Sequence, residues 1–367
     1  MTALPTMDRR ARADRVRNAV AADGCDAFLV TRLVNIRWMT GFTGSAAMLL
    51  VSPDDMLFVS DGRYGEQARQ QLGDAGVDAE IAIGLSLAAQ RDALAAKAKS
   101  VARLAVEADG ITWAQERTFA GEWFPDAELV ATEGLVDRER QVKDEGEVAR
   151  IAAAAAIADD ALAAVLPLLK ERPTEREFAL ELDSEIRRRG ADGTSFDTIV
   201  GSGPNGAKPH ARPGDRRVEE GDLVVIDFGA KVDGYCSDMT RTFSIGAPSP
   251  TAARMLEVVG AAQRAGVAAV AAGVGVRDVD AAARSVIVDA GWGEAFVHPT
   301  GHALGLEIHE HPRVASTVDA LLVEGNVVTV EPGVYLPEHG GVRIEDTVLV
   351  TSDGCQPLTH APKHTTI

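Results

Sequence analysis

The sequence predicts two domains, an α/β unit over residues 1–133 and a second unit over residues 134–367. Three observations carry that expectation. A chain of 367 residues is longer than one ordinary hydrophobic core serves. Strand-like and helix-like segments alternate through the first third, the pattern of an α/β layer. Around Gly134–Asp144 the alternation gives way to a charged stretch, LVDRERQVKD, and then to a long alanine-rich segment, which marks a boundary between compact units.

In the first unit, apolar positions recur at helical spacing over Asp8–Ala22, and Asp26–Val30, Met48–Val51 and Met56–Val59 are short strand-like runs. Helices are expected at Gly65–Leu72 and Leu87–Lys99, strands at Ala79–Ile83 and Leu104–Glu107. Gly41-Phe-Thr-Gly-Ser45 lacks the Gly-Lys-Ser/Thr ending of a phosphate loop and reads as a backbone turn. Asp61-Gly-Arg-Tyr64 reads as a turn that opens a helix.

The second unit begins with a helix from about Glu145 to Leu169, and Thr174-x-x-Glu177 has the form of a capping box opening another, to about Arg189. Asp197–Gly201 is strand-like and runs into a loop rich in Gly and Pro, GSGPNGAKPHARPGD, that carries His210. Leu223–Phe228 is an apolar run broken only by Asp227, and Asp233-Gly234 is a two-residue turn signal. With a type I′ turn there, Val232 pairs with Tyr235 and Asp227 falls opposite Thr240. Asp238 then lies diagonally from Asp227 on the same face, roughly 7–8 Å away at the backbone, so both side chains can close on one cation. Helices are expected next at Thr251–Ala272 and Arg277–Ala290, then strands at Val327–Val330 and Val342–Val350.

Composition narrows the partners. The net charge is −18, from 55 acidic and 37 basic residues, which argues against nucleic acid or an anionic membrane and suits a small substrate or a metal cation. Met1–Val20 carries Arg9, Arg10, Arg12, Arg15 and Arg17 with no apolar core behind them, so no secretory signal is expected and the cytoplasm is the expected location. Ile151–Leu169 is the most apolar long segment, but Asp159, Asp160, Pro167 and its alanine content argue against a membrane span. Cys25, Cys236 and Cys355 have no metal-ligand spacing and suit a reducing compartment.

The chemistry concentrates in the second unit. His298–His311, HPTGHALGLEIHEH, holds four of the eight histidines. A zincin helix needs His-Glu-x-x-His, but Arg313 stands where the second His would follow His309, and Pro299 and Gly301 disfavour a helix from His298 to His302. Glu331 ends the run Val327–Val330 at a Pro-Gly turn. Within Val342–Val350, alternation sets Arg343 and Glu345 on one face and Ile344 and Asp346 on the other. Singly, each acid would serve as a cap or a solvated surface group. Four acids and a histidine at strand edges and glycine-bounded loops point to a metal site.

These segments resemble the pita-bread metallopeptidases, specifically the proline peptidases that include prolidase and aminopeptidase P. The resemblance runs along most of the chain: NIRWMTGFTGS and DGRY first, then IDFG, SDMTRT, GHALGLEIHE, EPGVY and RIED. It implies a creatinase-like first domain and a pita-bread catalytic domain, an α+β fold with a curved, mostly antiparallel sheet flanked by helices. In order and spacing, Asp227, Asp238, His302, Glu331 and Glu345 match the family's five metal ligands. Ala303 departs from the Gly that often follows the ligand His, which narrows the site without removing a ligand.

The resemblance implies a dinuclear exopeptidase. Oxygen-rich ligation with one imidazole and no thiolate favours hard or borderline ions, so the expected cofactor is two divalent ions, Mn2+ first, with Co2+ or Zn2+ as alternatives. Without cations, four carboxylates within ~4 Å of one another would repel by several kcal/mol per pair even at an effective dielectric of about 20. Asp227 is implied to hold one ion, His302 and Glu331 the other, with Asp238 and Glu345 bridging. Glu331 is the implied proton acceptor. His210, His298 and His309 are the implied partners of the scissile carbonyl and its oxyanion, and Arg343 is implied to fix Glu345 or the substrate's own carboxylate.

The expected substrate is a peptide with proline at the second position. An Xaa-Pro aminopeptidase is the first reading and an Xaa-Pro dipeptidase the alternative. The proline ring is expected in a pocket around His298, His309, Leu304 and Leu306. The first domain is expected to support a homodimer, with Trp38 either contributing to a neighbour's pocket or buried in its own core. Creatinase-like hydrolases that work without metal, and non-catalytic binding modules, share the fold, but both predict replaced ligands, and all five stand here. Methionine aminopeptidases generally lack a first domain of this kind.

Overall fold

The structure, a computed structural model, describes residues 4–367, so the first three positions of the segment Met1–Val20 lie outside it. Contacts divide the chain between Arg140 and Gln141, into one unit over Thr6–Arg140 and another that contains Gln141–Ile367.

The first unit runs α1 (Arg9–Ala22), β1 (Ala27–Val30), α2 (Leu33–Thr40), β2 (Met48–Val51), β3 (Met56–Asp61), α3 (Gly65–Asp74), β4 (Glu80–Gly84), α4 (Leu87–Lys97), β5 (Arg103–Glu107), α5 (Trp113–Thr118), β6 (Glu128–Thr132) and α6 (Leu135–Arg140). Asp8 caps α1 by accepting from Ala11 N, and Gly41 ends α2 in the left-handed region at φ 79°. The six strands form one mixed sheet in the order β4-β3-β2-β1-β5-β6. Leu94, Phe119 and Trp123 pack on Leu29, Leu50, Leu57, Leu104 and Val106 of that sheet. Trp38 is 1% exposed with the Arg12 guanidinium 4.6 Å from its ring. It belongs to the core of its own unit, the second of its two expected places, and not to a neighbour's pocket.

The second unit runs α7 (Glu145–Val165), α8 (Glu175–Arg188), β7 (Gly193–Thr194), β8 (Ile199–Ser202), β9 (Leu223–Phe228), β10 (Ala230–Val232), β11 (Tyr235–Cys236), β12 (Met239–Ser244), α9 (Pro250–Ala268) and α10 (Val276–Asp289). It ends with β13 (Gly301–Ala303), β14 (Glu310–Val314), β15 (Val327–Val330), β16 (Gly333–Leu336), β17 (Gly340–Arg343), β18 (Asp346–Thr351) and β19 (Gly354–Pro357). The capping box of α8 forms in full, Thr174 accepting from Glu177 N and Glu177 from Thr174 N. By length and composition Glu145–Glu171 would suffice to cross a membrane. Instead Ala154, Ala158, Ala161, Leu162 and Leu169 pack with Phe178 and Leu182 of α8 and Val224 and Ile226 of β9, as a core helix does.

Every strand pair of this unit is antiparallel, grouped as β11-β10-β7, β12-β9-β8, β14-β13-β15-β18-β19 and β16-β17. The hairpin after β9 has the expected register, with Val232 opposite Tyr235 and Asp227 opposite Thr240. Its turn residues Asp233 and Gly234 both take positive φ, 46° and 78°, as type I′ requires. The strand expected over Val342–Val350 differs: it is β17 paired with β16, then β18 paired with β15. The opposing chain breaks at Glu331-Pro332, where proline has no N–H for a ladder. Both chains therefore change sheet at one level, and Ile344 and Glu345 are left between ladders.

Candidate metal centre and its cavity

The breaks in these ladders put acids where backbone pairing stops. Asp238 lies between β11 and β12, Glu331 between β15 and β16, and Glu345 between β17 and β18, while Asp227 is in β9 and His302 in β13. The ligand atoms of Asp238, His302 and Glu345 lie within 4.8 Å of one another. His302 Nε2 is 3.5 Å from Asp238 Oδ2 and 3.4 Å from Glu331 Oε1. The other ring nitrogen, Nδ1, stands 3.1 Å from Ala303 O and carries the proton there, so Nε2 turns its lone pair to the acids.

Hydroxyls orient two of the carboxylates. Thr240 Oγ1 donates to Glu345 Oε2 at 2.7 Å and Thr329 Oγ1 to Glu331 Oε1 at 3.2 Å. After these bonds, Asp227 Oδ1, Asp238 Oδ1 and Glu345 Oε1 are buried with no hydrogen-bond partner. Buried acceptors of this kind are costly unless something positive meets them. Three orphan oxygens beside a bare imidazole nitrogen are a donor set that fits divalent cations.

The electrostatics agree. Burial first, then the charges of Glu345 and Asp227, raises Asp238 well above the usual carboxylate range, and burial with Glu331 and Asp227 does the same to Glu345. Burial also pushes Glu331 up to about 8 and His302 down to about 4. The cluster thus holds protons where a cation would hold its charge, around a neutral imidazole.

Arg343 takes a different place from the one expected. Its Nη2 donates to Asp227 Oδ2 at 2.6 Å, Nη1 to Tyr335 OH at 2.7 Å and Pro209 O at 3.2 Å, and Nε to Thr240 Oγ1 at 3.0 Å. The guanidinium fixes Asp227 rather than Glu345. With these donors engaged and the side chain 3% exposed, it is not disposed to meet a substrate carboxylate. His298 also needs correction as a substrate donor. Because Pro299 O can only accept, the ring proton sits on Nδ1, 2.8 Å away, and the Tyr335 O–H, whose oxygen accepts from Arg343, donates to His298 Nε2 at 2.8 Å. Both nitrogens are taken, and burial, with Arg343 second, holds His298 down to about 4.

All nine expected site residues line one cavity of about 450 Å³. His210 and His309 are exposed in it, and neither ring has a hydrogen-bond partner among the described residues. The His309 ring stands 4.4 Å from that of His302, edge to face. The apolar wall is Phe196, Ile199 and Ile308. Leu304 and Leu306 are not part of it, since Leu304 is wholly buried and Leu306 lies on the loop beyond.

Besides the apolar wall, the sequence reading assigned no site role to Thr240, Thr329, Tyr335 and Arg313. Arg313 lines the cavity, is exposed, and has no hydrogen-bond or ion-pair partner among the described residues. The register shift between β13 and β14 sets it opposite His302, and Pro312 before it was the available signal of an irregular strand.

Residues 149–352 match the family model described as Metallopeptidase family M24, and residues 12–142 the one described as Creatinase/Prolidase N-terminal domain. Among solved structures, the chain is similar to an Xaa-Pro dipeptidase from Bacillus anthracis at 40% identity and a TM-score of 0.92, covering 97% of this chain and 99% of that one. A prolidase from Pyrococcus horikoshii OT3 is 30% identical with a TM-score of 0.90, covering 96% and 99%. An X-Pro aminopeptidase from Thermotoga maritima MSB8 is 35% identical with a TM-score of 0.88, covering 95% and 100%.

Proposed function

Because the chain belongs to metallopeptidase family M24, with a creatinase/prolidase N-terminal domain before a pita-bread domain, we propose that it is an Xaa-Pro dipeptidase rather than the aminopeptidase that the sequence alone favours. The observation that carries this reading is Arg313, an exposed guanidinium on the cavity wall with no hydrogen-bond or ion-pair partner among the described residues. A dipeptide ends at its proline carboxylate, which such a fork of donors meets well, whereas a longer peptide has a neutral amide at that point. The names of the Bacillus anthracis and Pyrococcus horikoshii proteins agree with it. The imide nitrogen of proline has no N–H, so the wall of Phe196, Ile199 and Ile308 can receive the ring without offering an acceptor.

Two divalent ions, Mn2+ by preference, would be held here, one by Asp227, the other by His302 and Glu331, and both by Asp238 and Glu345. When bound, the ions would neutralise the four carboxylates and supply an acidified water for attack on the scissile carbonyl. Glu331 would accept the proton of the attacking water and return it to the departing proline nitrogen. His210 and His309 donate N–H to the carbonyl oxygen as it gains charge. Arg343 keeps Asp227 in place, and Tyr335 joins Arg343 to His298. A homodimer and a cytoplasmic location complete the proposal.

Arg313→Ala tests it. The variant should raise KM for Ala-Pro about tenfold or more with kcat within about threefold, and should lose the preference for Ala-Pro over its carboxamide. Equal turnover of the acid and the carboxamide by the unaltered protein would contradict the reading.

A further inference from the structure

The wall that carries His309 and Arg313 is held from behind by a buried ion pair that the metal site does not use. Lys143 Nζ lies 3.1 Å from Glu310 Oε2 and 3.3 Å from Gln141 O. The Lys143 side chain is 1% exposed and that of Glu310 7%. Glu310 opens β14 directly after His309, and its other oxygen accepts from Glu307 N at 3.2 Å. One carboxylate therefore closes the loop 305–310 on itself and ties it to the segment leading into α7. Gly305 makes the room: a Cβ there would stand 2.7–2.9 Å from the Glu310 carboxylate. Backbone bonds seat the loop's first residue, Cys236 N to Gly305 O at 2.8 Å and Gly305 N to Glu307 O at 3.0 Å.

The register shows what this anchor does. Glu310 pairs with Ala303, yet Arg313 pairs with His302, so His311 and Pro312 are extra on their side. Such a bulge bends the strand and re-aims its side chains. With Glu310 turned to Lys143, its neighbours His309 and Arg313 face the cavity. An ion pair this buried is a poor source of stability, because apolar replacements of similar volume are often as stable. A charged anchor does define one position for a loop otherwise seated by its backbone.

We propose that Lys143 and Glu310 are positioning residues for the substrate, setting where His309 and Arg313 meet its carbonyl and its proline carboxylate. The proposal depends on the dipeptidase reading only for which end of the substrate this wall meets.

The test uses full-length, Mn2+-loaded protein carrying Glu310→Gln, which keeps an acceptor for Glu307 N but removes the charge, together with Lys143→Met and the double variant. Kinetics with Ala-Pro, metal content, and the imidazole NMR resonances of His309 and His210 in zinc-loaded protein are the readings. The expected result is a KM raised about tenfold as Arg313 leaves the proline carboxylate, a kcat lowered as His309 leaves the developing oxyanion, unchanged metal content, and shifted His309 resonances beside unmoved His210 ones. The double variant should be no worse than either single, as for a coupled pair. Where a single variant does not fold, the double variant, with neither charge left unpaired, gives the same readings. Unchanged KM and unchanged His309 resonances in a folded variant would overturn the proposal, as would loss of metal and kcat at constant KM. If the unaltered protein does not turn over Ala-Pro, the dipeptidase reading fails, and the His309 resonances alone decide this one.

Discussion

Glu331 and Glu345 stand opposite each other at the level where two paired chains leave one sheet for the next. Val330 pairs with Asp346 on one side of the gap and Gly333 with Arg343 on the other, so a single register passes through both acids. No ladder bond joins them there. Their backbones are tied outward instead, Glu331 N to Thr300 O at 2.7 Å and Glu345 N to Thr240 O at 3.1 Å. Two like charges facing across a strand gap destabilise it, so the arrangement makes sense only if protons or cations lie between them.

Metal content depends on that arrangement. If Asp238 and Glu345 are shared as proposed, Asp238→Ala and Glu345→Ala should each empty both sites, whereas Asp227→Ala should weaken mainly one. Elemental analysis of metal per chain in the purified variants checks this. Full occupancy in Asp238→Ala would show that Asp238 is not shared.

Arg343→Met separates two roles for the guanidinium. Since its shortest bond is to Asp227, at 2.6 Å, the loss should lower kcat or metal affinity by about 10–100-fold, as for other partners of metal ligands. KM for Ala-Pro should change little. A raised KM at constant kcat would mean that Arg343 meets the substrate after all.

Removing the metal should make stability depend on pH. In metal-free protein burial holds Glu331 at about 8 against its ordinary 4.5. Below 4.5 both folded and unfolded forms keep that proton, and its contribution is full. Between 4.5 and about 8 the unfolded chain binds fewer protons than the folded one, so stability falls as pH rises. Asp238 and Glu345, raised in the same direction, steepen the fall. His302, held down to about 4 from 6.5, opposes it only between those two values, because there the unfolded chain binds more protons. Tm in a chelator should therefore drop between pH 6.5 and about 8, and saturating Mn2+ should abolish the drop. A flat Tm in chelator across that range would contradict the electrostatic account.

Legibility in the sequence tracked how local each feature was. Asp233-Gly234 determines its own hairpin, so Thr240 could be set opposite Asp227 by counting from the turn. The facing of Glu331 and Glu345 was not legible while Val342–Val350 read as one strand, although Pro332 carried the signal for a break. Arg343 could be placed on the Glu345 face by alternation, but not its partner, because that depends on Tyr335 reaching over Gly333. A Cβ on Gly333 would come 2.6 Å from the Tyr335 hydroxyl. The histidines were visible by density, yet their working nitrogens were not. Those are set by Ala303 O, Pro299 O and Tyr335, partners that only the folded chain brings together. Arg313 escaped because its place depends on a bulge.

The most direct measurement is kcat/KM for Ala-Pro, Ala-Pro-Ala and Ala-Ala-Ala with Mn2+ present. A dipeptidase with its proline carboxylate on Arg313 should cleave Ala-Pro at least about tenfold better than Ala-Pro-Ala and should leave Ala-Ala-Ala intact. Equal or preferred cleavage of Ala-Pro-Ala would return the enzyme to the aminopeptidase class, and turnover of Ala-Ala-Ala would contradict the assignment to proline.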